Sequence, residues 1–191
     1  MESLANTLAE LKMRVDDGVN VSCESVQEKF NDAMARVTQV EEELLEQLDS
    51  DMYPGWTPIM FACTLLQDGW ITRILTMAEH AEAECPNLRK RMLALRNEDG
   101  HNALILLFEA EQVEAQTIAD EEDTDVKIDK TKLRKLVMNG ASPTDGEGGP
   151  SAKMFAAELG EPNVFKGMKC SSPKSRTKKK RSSQGKSNRK K

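Results

Sequence analysis

The chain has 191 residues, 38% of them apolar and only eight aromatic. That length holds one domain plus tails, and so few aromatics suit a thin helical stack better than a β-sandwich or barrel. The net charge of −5 conceals a division. Of 27 Lys and Arg, eleven lie in residues 169–191, which carry no Asp or Glu, leaving 16 against all 32 acidic residues. A body near −16 joined to a tail of +11 is a charge asymmetry between segments, not a mildly acidic protein.

No apolar run approaches the ~20 residues that span a bilayer, so no transmembrane segment is expected. The start, Met1-Glu2-Ser3-Leu4, lacks a basic segment followed by an apolar one, so no secretory signal is expected. Cys23, Cys63, Cys85 and Cys170 share no short spacing, which argues against a zinc site or a disulfide framework and for reduced thiols inside a cell.

In chain order, Leu4, Leu8, Leu11 and Val15 fall at helical spacing and stop at Asp16-Asp17-Gly18. Ser25 with Glu28 reads as a capping box opening a longer helix. Its apolar stripe is Val26, Phe30, Ala33, Val37, Val40 and Leu44, spaced alternately four and three apart. Under three heptads long, that stripe predicts one face packed on the domain rather than a free coiled coil.

The most informative stretch is Gly55-Trp56-Thr57-Pro58-Ile59-Met60-Phe61-Ala62. Threonine is placed to cap a helix, and proline stands in the first turn, where no amide partner is lost. Cys63 to Leu66 extends this helix, Gln67-Asp68-Gly69 makes a turn, and Trp70 to Met77 forms a second helix. Glu79 to Pro86 interrupts the pattern, and 87–96 read as a further helical turn or two. The opening recurs as Asn97-Glu98-Asp99-Gly100-His101-Asn102-Ala103-Leu104, continues through Leu106, Leu107 and Phe108, and runs into the acidic stretch 120–125. A second helix follows at Lys130 to Val137, ending in Met138-Asn139-Gly140-Ala141-Ser142-Pro143, where glycine closes the helix in a left-handed conformation. A third opening is Gly149-Pro150-Ser151-Ala152-Lys153-Met154-Phe155-Ala156-Ala157, followed after Gly160 by a short second helix through Phe165.

These openings and the Gly-Ala-Ser-Pro ending resemble the T-P-L-H-x-A and G-A-D-P signatures of ankyrin-repeat proteins. The resemblance covers roughly 51–168. Gly55, Gly100 and Gly149 do not keep the regular period of ~33 residues, and the excess falls at 67–68, 79–90 and 112–129. The expected architecture is all-α: an ankyrin solenoid of about three irregular repeats (51–168), N-terminal helices forming a cap or a packed helical pair (1–50) and a disordered basic tail (169–191). In that family the repeats bind proteins through hairpin tips and the exposed face of the first helices. Carried onto this sequence, those positions include Asp51, Tyr53, Trp56, Glu98, His101, Asp145 and Glu147, with Trp56 the best anchor because such residues dominate interface energies. The competing role for Trp56 is packing on Tyr53, Pro54 or the N-terminal helix. Trp70 reads as structural.

Catalytic signatures are missing. His80 and His101 lie in no ligand or triad spacing, and Gly146 to Ser151 lacks the Gly-Lys-Ser/Thr of a phosphate loop. An EF-hand loop starting at Asp120 would need glycine at its sixth position and a carboxylate at its twelfth, where Asp125 and Thr131 stand. No cofactor is implied, and no enzyme.

The tail carries two basic clusters, Lys174-Ser175-Arg176-Thr177-Lys178-Lys179-Lys180-Arg181 and Lys186-Ser187-Asn188-Arg189-Lys190-Lys191. With no apolar residue after Cys170 it cannot offset its ordering entropy. A nuclear import signal is the leading reading, ahead of salt-labile binding to RNA or DNA phosphates and to an anionic membrane surface. Serines 171, 172, 175, 182, 183 and 187 interleave with the charge, so phosphorylation would weaken any of these contacts. Together the features predict a protein-interaction adaptor, nuclear through its tail, whose acidic body favours a basic protein partner. The alternatives are a cytoplasmic location and an RNA- or ribosome-associated factor anchored by the tail.

Overall fold

In the computed structural model, which describes residues 2–122 and 128–168, the regular elements are α-helices with one isolated β-bridge, Arg96 to Asn102. They are α1 (Leu4–Asp16), α2 (Glu24–Arg36), α3 (Val40–Leu45), α4 (Pro58–Thr64), α5 (Asp68–Ala81), α6 (Leu88–Ala94), α7 (Ala103–Glu122), α8 (Lys130–Met138) and α9 (Ala152–Glu158). No helix among the described residues is long and apolar enough to cross a membrane.

Four helices, α1, α4, α7 and α9, stack in order, each against the next. A second layer backs them: α2 on α1, α5 on α4 and α8 on α7, with α3 and α6 wedged beside α5. Each stacked helix opens on a small polar residue, Ser3, Thr57, Asn102 or Ser151. The Ser3 and Ser151 hydroxyls and the Asn102 side chain accept from the amides of Asn6, Met154 and Ile105, at 3.1–3.3 Å. Such caps satisfy the amides that a helix start leaves unpaired. Thr57 differs: its amide meets Met60 Sδ at 3.5 Å, and its buried hydroxyl has no hydrogen-bond partner among the described residues.

α4 is the centre of the stack, with Pro58 through Cys63 all buried. Neighbouring helices cover it on several sides, so its sequence is apolar all round instead of striped. α7 begins the same way, Ala103 to Phe108 being buried, and then emerges. Buried residues from Leu4 to Phe165 form one contiguous cluster.

The loops preceding α4, α7 and α9 lie side by side. Glu98 N donates to Pro54 O (3.2 Å), and Gln47 Nε2 reaches both Gly55 O (3.0 Å) and Arg96 O (2.7 Å). Arg96 then spans to the third loop, donating to Gly100 O, Pro150 O (3.0 Å) and Asp145 O (2.8 Å). Glycine is required where these loops meet. A Cβ on Gly149 would stand 2.5 Å from Gly100 O and 3.1 Å from Gly100 Cα, both backbone atoms that cannot swing aside. Gly149→Ala is therefore expected to cost about 1–3 kcal/mol by forcing the loops apart. Gly69→Ala, at a helical position with open space around it, is expected to be neutral or stabilising by up to about 1 kcal/mol. Urea midpoints of the two variants would show the contrast.

Several sequence expectations are corrected. Ser25 and Glu28 do not form a capping box: α2 starts at Glu24 after Cys23, so Ser25 already lies in its first turn. The 26–44 stripe is not one helix, because Val37 is extended (φ −62°, ψ 116°) and the chain reverses into α3. That break delivers Leu44 to the core at 0% exposure. The turn after α4 uses Leu66 in the left-handed region (φ 53°), while Gly69 is inside α5. Residues 112–122 extend α7 instead of forming a loop, and 161–168 form turns, not a helix. The third loop has its left-handed glycine at Gly148, one residue before Gly149. The acidic stretch is helical backbone through Glu122, and 123–127 lie outside the described residues, as does the whole tail.

Candidate interaction groove

Along the exposed side of α1, α4 and α7 runs a groove of about 610 Å³. Its floor is the face of α7 bearing Leu106, Ala110 and Val113, spaced four and three so that they share one side of the helix. The end of α4 supplies Leu66, and Trp56 and His101 stand at the loop side. Carboxylates edge it: Asp99 from the second loop, Glu109 and Glu114 from α7. Val113 is 62% exposed, a large apolar side chain left in water.

Trp56 is half-buried, packed on one side and open to the groove on the other. Its ring packs on Tyr53 (centroids 5.3 Å) and Phe61 (5.1 Å), while its remaining surface lines the groove. Tyr53 is buried beneath it, edge-on to Phe61, and its hydroxyl donates to Asp16 Oδ2 at 3.2 Å. Burial first, and the Asp16 carboxylate second, push the Tyr53 phenol up to about 12. Tyr53 thus supports Trp56 from below and has little surface for a partner. Lys12, which lines the groove from α1, is committed to Asp16 at 2.6 Å.

His101 lies 3.5 Å from Glu109 (Nδ1 to Oε2), with its ring edge-on to Phe155. Burial holds the Glu109 carboxyl above its ordinary range, and nearby His101 works against that rise. Asn97 fixes the loop, its Oδ1 accepting from His101 N at 2.8 Å.

The other sequence-predicted positions spread along the loops. Glu98 is exposed on the second tip, Asp51 and Glu147 are exposed on the first and third, and Asp145 is half-buried with its carbonyl held by Arg96. Only Trp56 and His101 of the seven line the groove. Sequence reasoning passed over Leu66, Asp99, Glu109, Val113 and Glu114. The i, i+3, i+4, i+7 recurrence of 106, 109, 110 and 113 carries the signal, but it crosses from the apolar start of α7 into the polar stretch that begins at 112.

A larger groove, about 850 Å³, opens between α2–α3 and α5. Among the described residues it contains none of the predicted positions and no Phe, Tyr or Trp, and its Glu41 is paired with Arg91. Among the described residues no group of three or more His, Cys, Asp or Glu could hold a metal ion, and Cys23, Cys63 and Cys85 are free thiols. Burial alone drives the Cys63 thiol far above its ordinary value, which suits an inert core position. Comparison with protein-family models, with curated proteins and with solved structures gives no match.

Proposed function

We propose that the chain is a non-enzymatic protein-interaction module that holds a basic segment of another protein along the α1–α4–α7 face, in the manner of ankyrin-repeat proteins. The observation that carries this reading is the groove itself: a half-exposed Trp56 and an exposed Val113 beside Asp99, Glu109 and Glu114. Aromatic and aliphatic surface supplies desolvation, a Lys or Arg stacks on the indole, and the carboxylates select for positive charge and speed encounter. The ankyrin reading draws support from the capped stacked helices, the hydrogen-bonded loops and the glycine at their contact. The chain departs from regular repeats in the extra helices α3 and α6 and in the 20-residue α7. Lys178–Arg181 and Arg189–Lys191 would bring the module to the nucleus through an import receptor.

Asp99 and Glu114 are exposed, so reversing them should leave the fold intact. In an affinity capture from cell extract, the full chain carrying Asp99→Lys and Glu114→Lys is expected to lose basic proteins that the wild type retains. Affinity for any one of them should fall at least roughly tenfold, as loss of close charge pairs at interfaces does. Unchanged capture by a variant with wild-type circular dichroism and melting would rule the groove out.

A further inference from the structure

The groove's charge is left largely open by the folded body. Asp99 and Glu114 are exposed and make no ion pair within 4 Å among the described residues, although Glu114 lies within electrostatic reach of Lys132. Glu109 meets His101 at 3.5 Å and also feels the like charge of Asp99. The same chain carries the opposite charge in its last 23 residues, eleven Lys or Arg and no acid.

Position and reach bring the two together. Residues just before the tail pack against α7: the Phe165 ring lies 6.1 Å from that of Phe108, and Gln112 Nε2 donates to Leu159 O at 3.4 Å. The next residues of the same helix, Glu109, Val113 and Glu114, line the groove. The tail therefore starts beside the helix that forms the groove floor. At ~3.3 Å per residue an extended segment of that length spans about 75 Å, against a radius of gyration near 15 Å for a compact body of this size.

We infer that residues 174–191 occupy this groove in cis, as a tethered competitor that a partner's basic segment must displace. The inference rests on the groove being the partner site, and adds its regulation. Occupancy follows from concentration: a tether of this length holds its end near the body at an effective concentration of order mM. A contact with a dissociation constant of about 0.1 mM between separate molecules, still measurable by titration, is then about nine-tenths populated. The tail has no apolar residue after Cys170, so its hold is charge and Lys or Arg stacked on Trp56. Such a hold is screened by salt and yields to a ligand that also fills the apolar floor.

The test keeps the full chain. One variant replaces Lys178, Lys179, Lys180, Arg181, Arg189, Lys190 and Lys191 with glutamine, preserving tail length. A synthetic peptide of residues 174–191 is titrated onto wild type and variant, reading tryptophan emission. Trp56 lines the groove, and Trp70, at 2% exposure, supplies a constant background. The variant is expected to bind the peptide roughly tenfold more tightly than wild type, because an occupied site lowers apparent affinity in proportion to its free fraction. The emission difference between the unliganded proteins should not depend on protein concentration. Equal affinities would overturn the inference while leaving the groove as a basic-segment site. A difference that grows with protein concentration would also overturn it, placing the tail on a second copy. Absence of binding by both proteins would remove the groove reading together with the inference.

Discussion

Trp70→Ala should cost about 3–5 kcal/mol, the range for deleting a large buried aromatic. The indole stacks on Phe30 of α2 with centroids 4.3 Å apart and planes within 9°, and its Nε1 donates to Gln27 Oε1 at 2.9 Å. Arg73 caps the same arrangement, its guanidinium carbon 5.3 Å from the Phe30 centroid. Truncation removes the stacked surface and leaves a cavity between α2 and α5, and also strips a donor from Gln27. Against a typical domain stability of about 5–15 kcal/mol, this is roughly a fifth or more of the total. Trp70→Phe, which keeps most of the ring surface and loses the hydrogen bond, should cost nearer 1 kcal/mol beyond repacking. Because stacked layers touch mainly their neighbours, the alanine variant should loosen the N-terminal helices first, giving a shallower urea transition. A midpoint and slope equal to wild type would show that α1–α3 contribute nothing to the stability of the stack.

Lys132→Met is expected to lose about 3–5 kcal/mol at neutral pH, because it strands a buried carboxylate. Glu111, 2% exposed on α7, accepts from Lys132 Nζ of α8 at 2.7 Å. Burial raises the Glu111 carboxyl above its ordinary value even with the lysine present, and Lys132 works against that rise. Without the cation the carboxyl climbs further. The folded state then binds a proton more tightly than the unfolded chain, so the deficit is largest above the folded pKa and shrinks as pH falls toward the unfolded value of 4.5. Lys132 itself is desolvated, yet Glu111 raises its pKa overall, so its contribution persists until strongly alkaline pH. Adding Glu111→Gln should restore most of the loss at pH 8 and little at pH 5. Denaturant unfolding of both variants at the two pH values would check this, and a deficit independent of pH would mean that Glu111 is not the cause.

How legible the molecule was depends on the range of the interaction that sets each feature. Asn102 and Ser151 could be found as helix openings because a cap is closed within three residues of itself, and Thr57 by the proline that follows it in the first turn. Gly140 could be found as a helix end for the same reason, and it does adopt φ 114°. The left-handed residue after α4 was misplaced at Gly69 because glycine is the usual occupant. Leu66 holds that conformation instead, with Leu66 N and Gln67 N closing onto Cys63 O and Ala62 O. Leu66 also lines the groove, so the residue that breaks the local rule is the one whose side chain the groove uses.

The sequence by itself determined the helical class, the capped openings and the division of charge between body and tail, since each is written in neighbouring residues or in composition. Only the tertiary structure decided that the 26–44 stripe breaks at Val37 and that α7 continues to Glu122. It alone set Tyr53 beneath Trp56, and brought Asp99, Glu109 and Glu114 to one edge. Each of these depends on which distant segment lies opposite: α1 and α5 for Leu44, α4 and α9 for α7, Asp16 for Tyr53. A backbone cap is satisfied locally. A groove exists only once helices from across the chain have stacked and left one face of α7 uncovered.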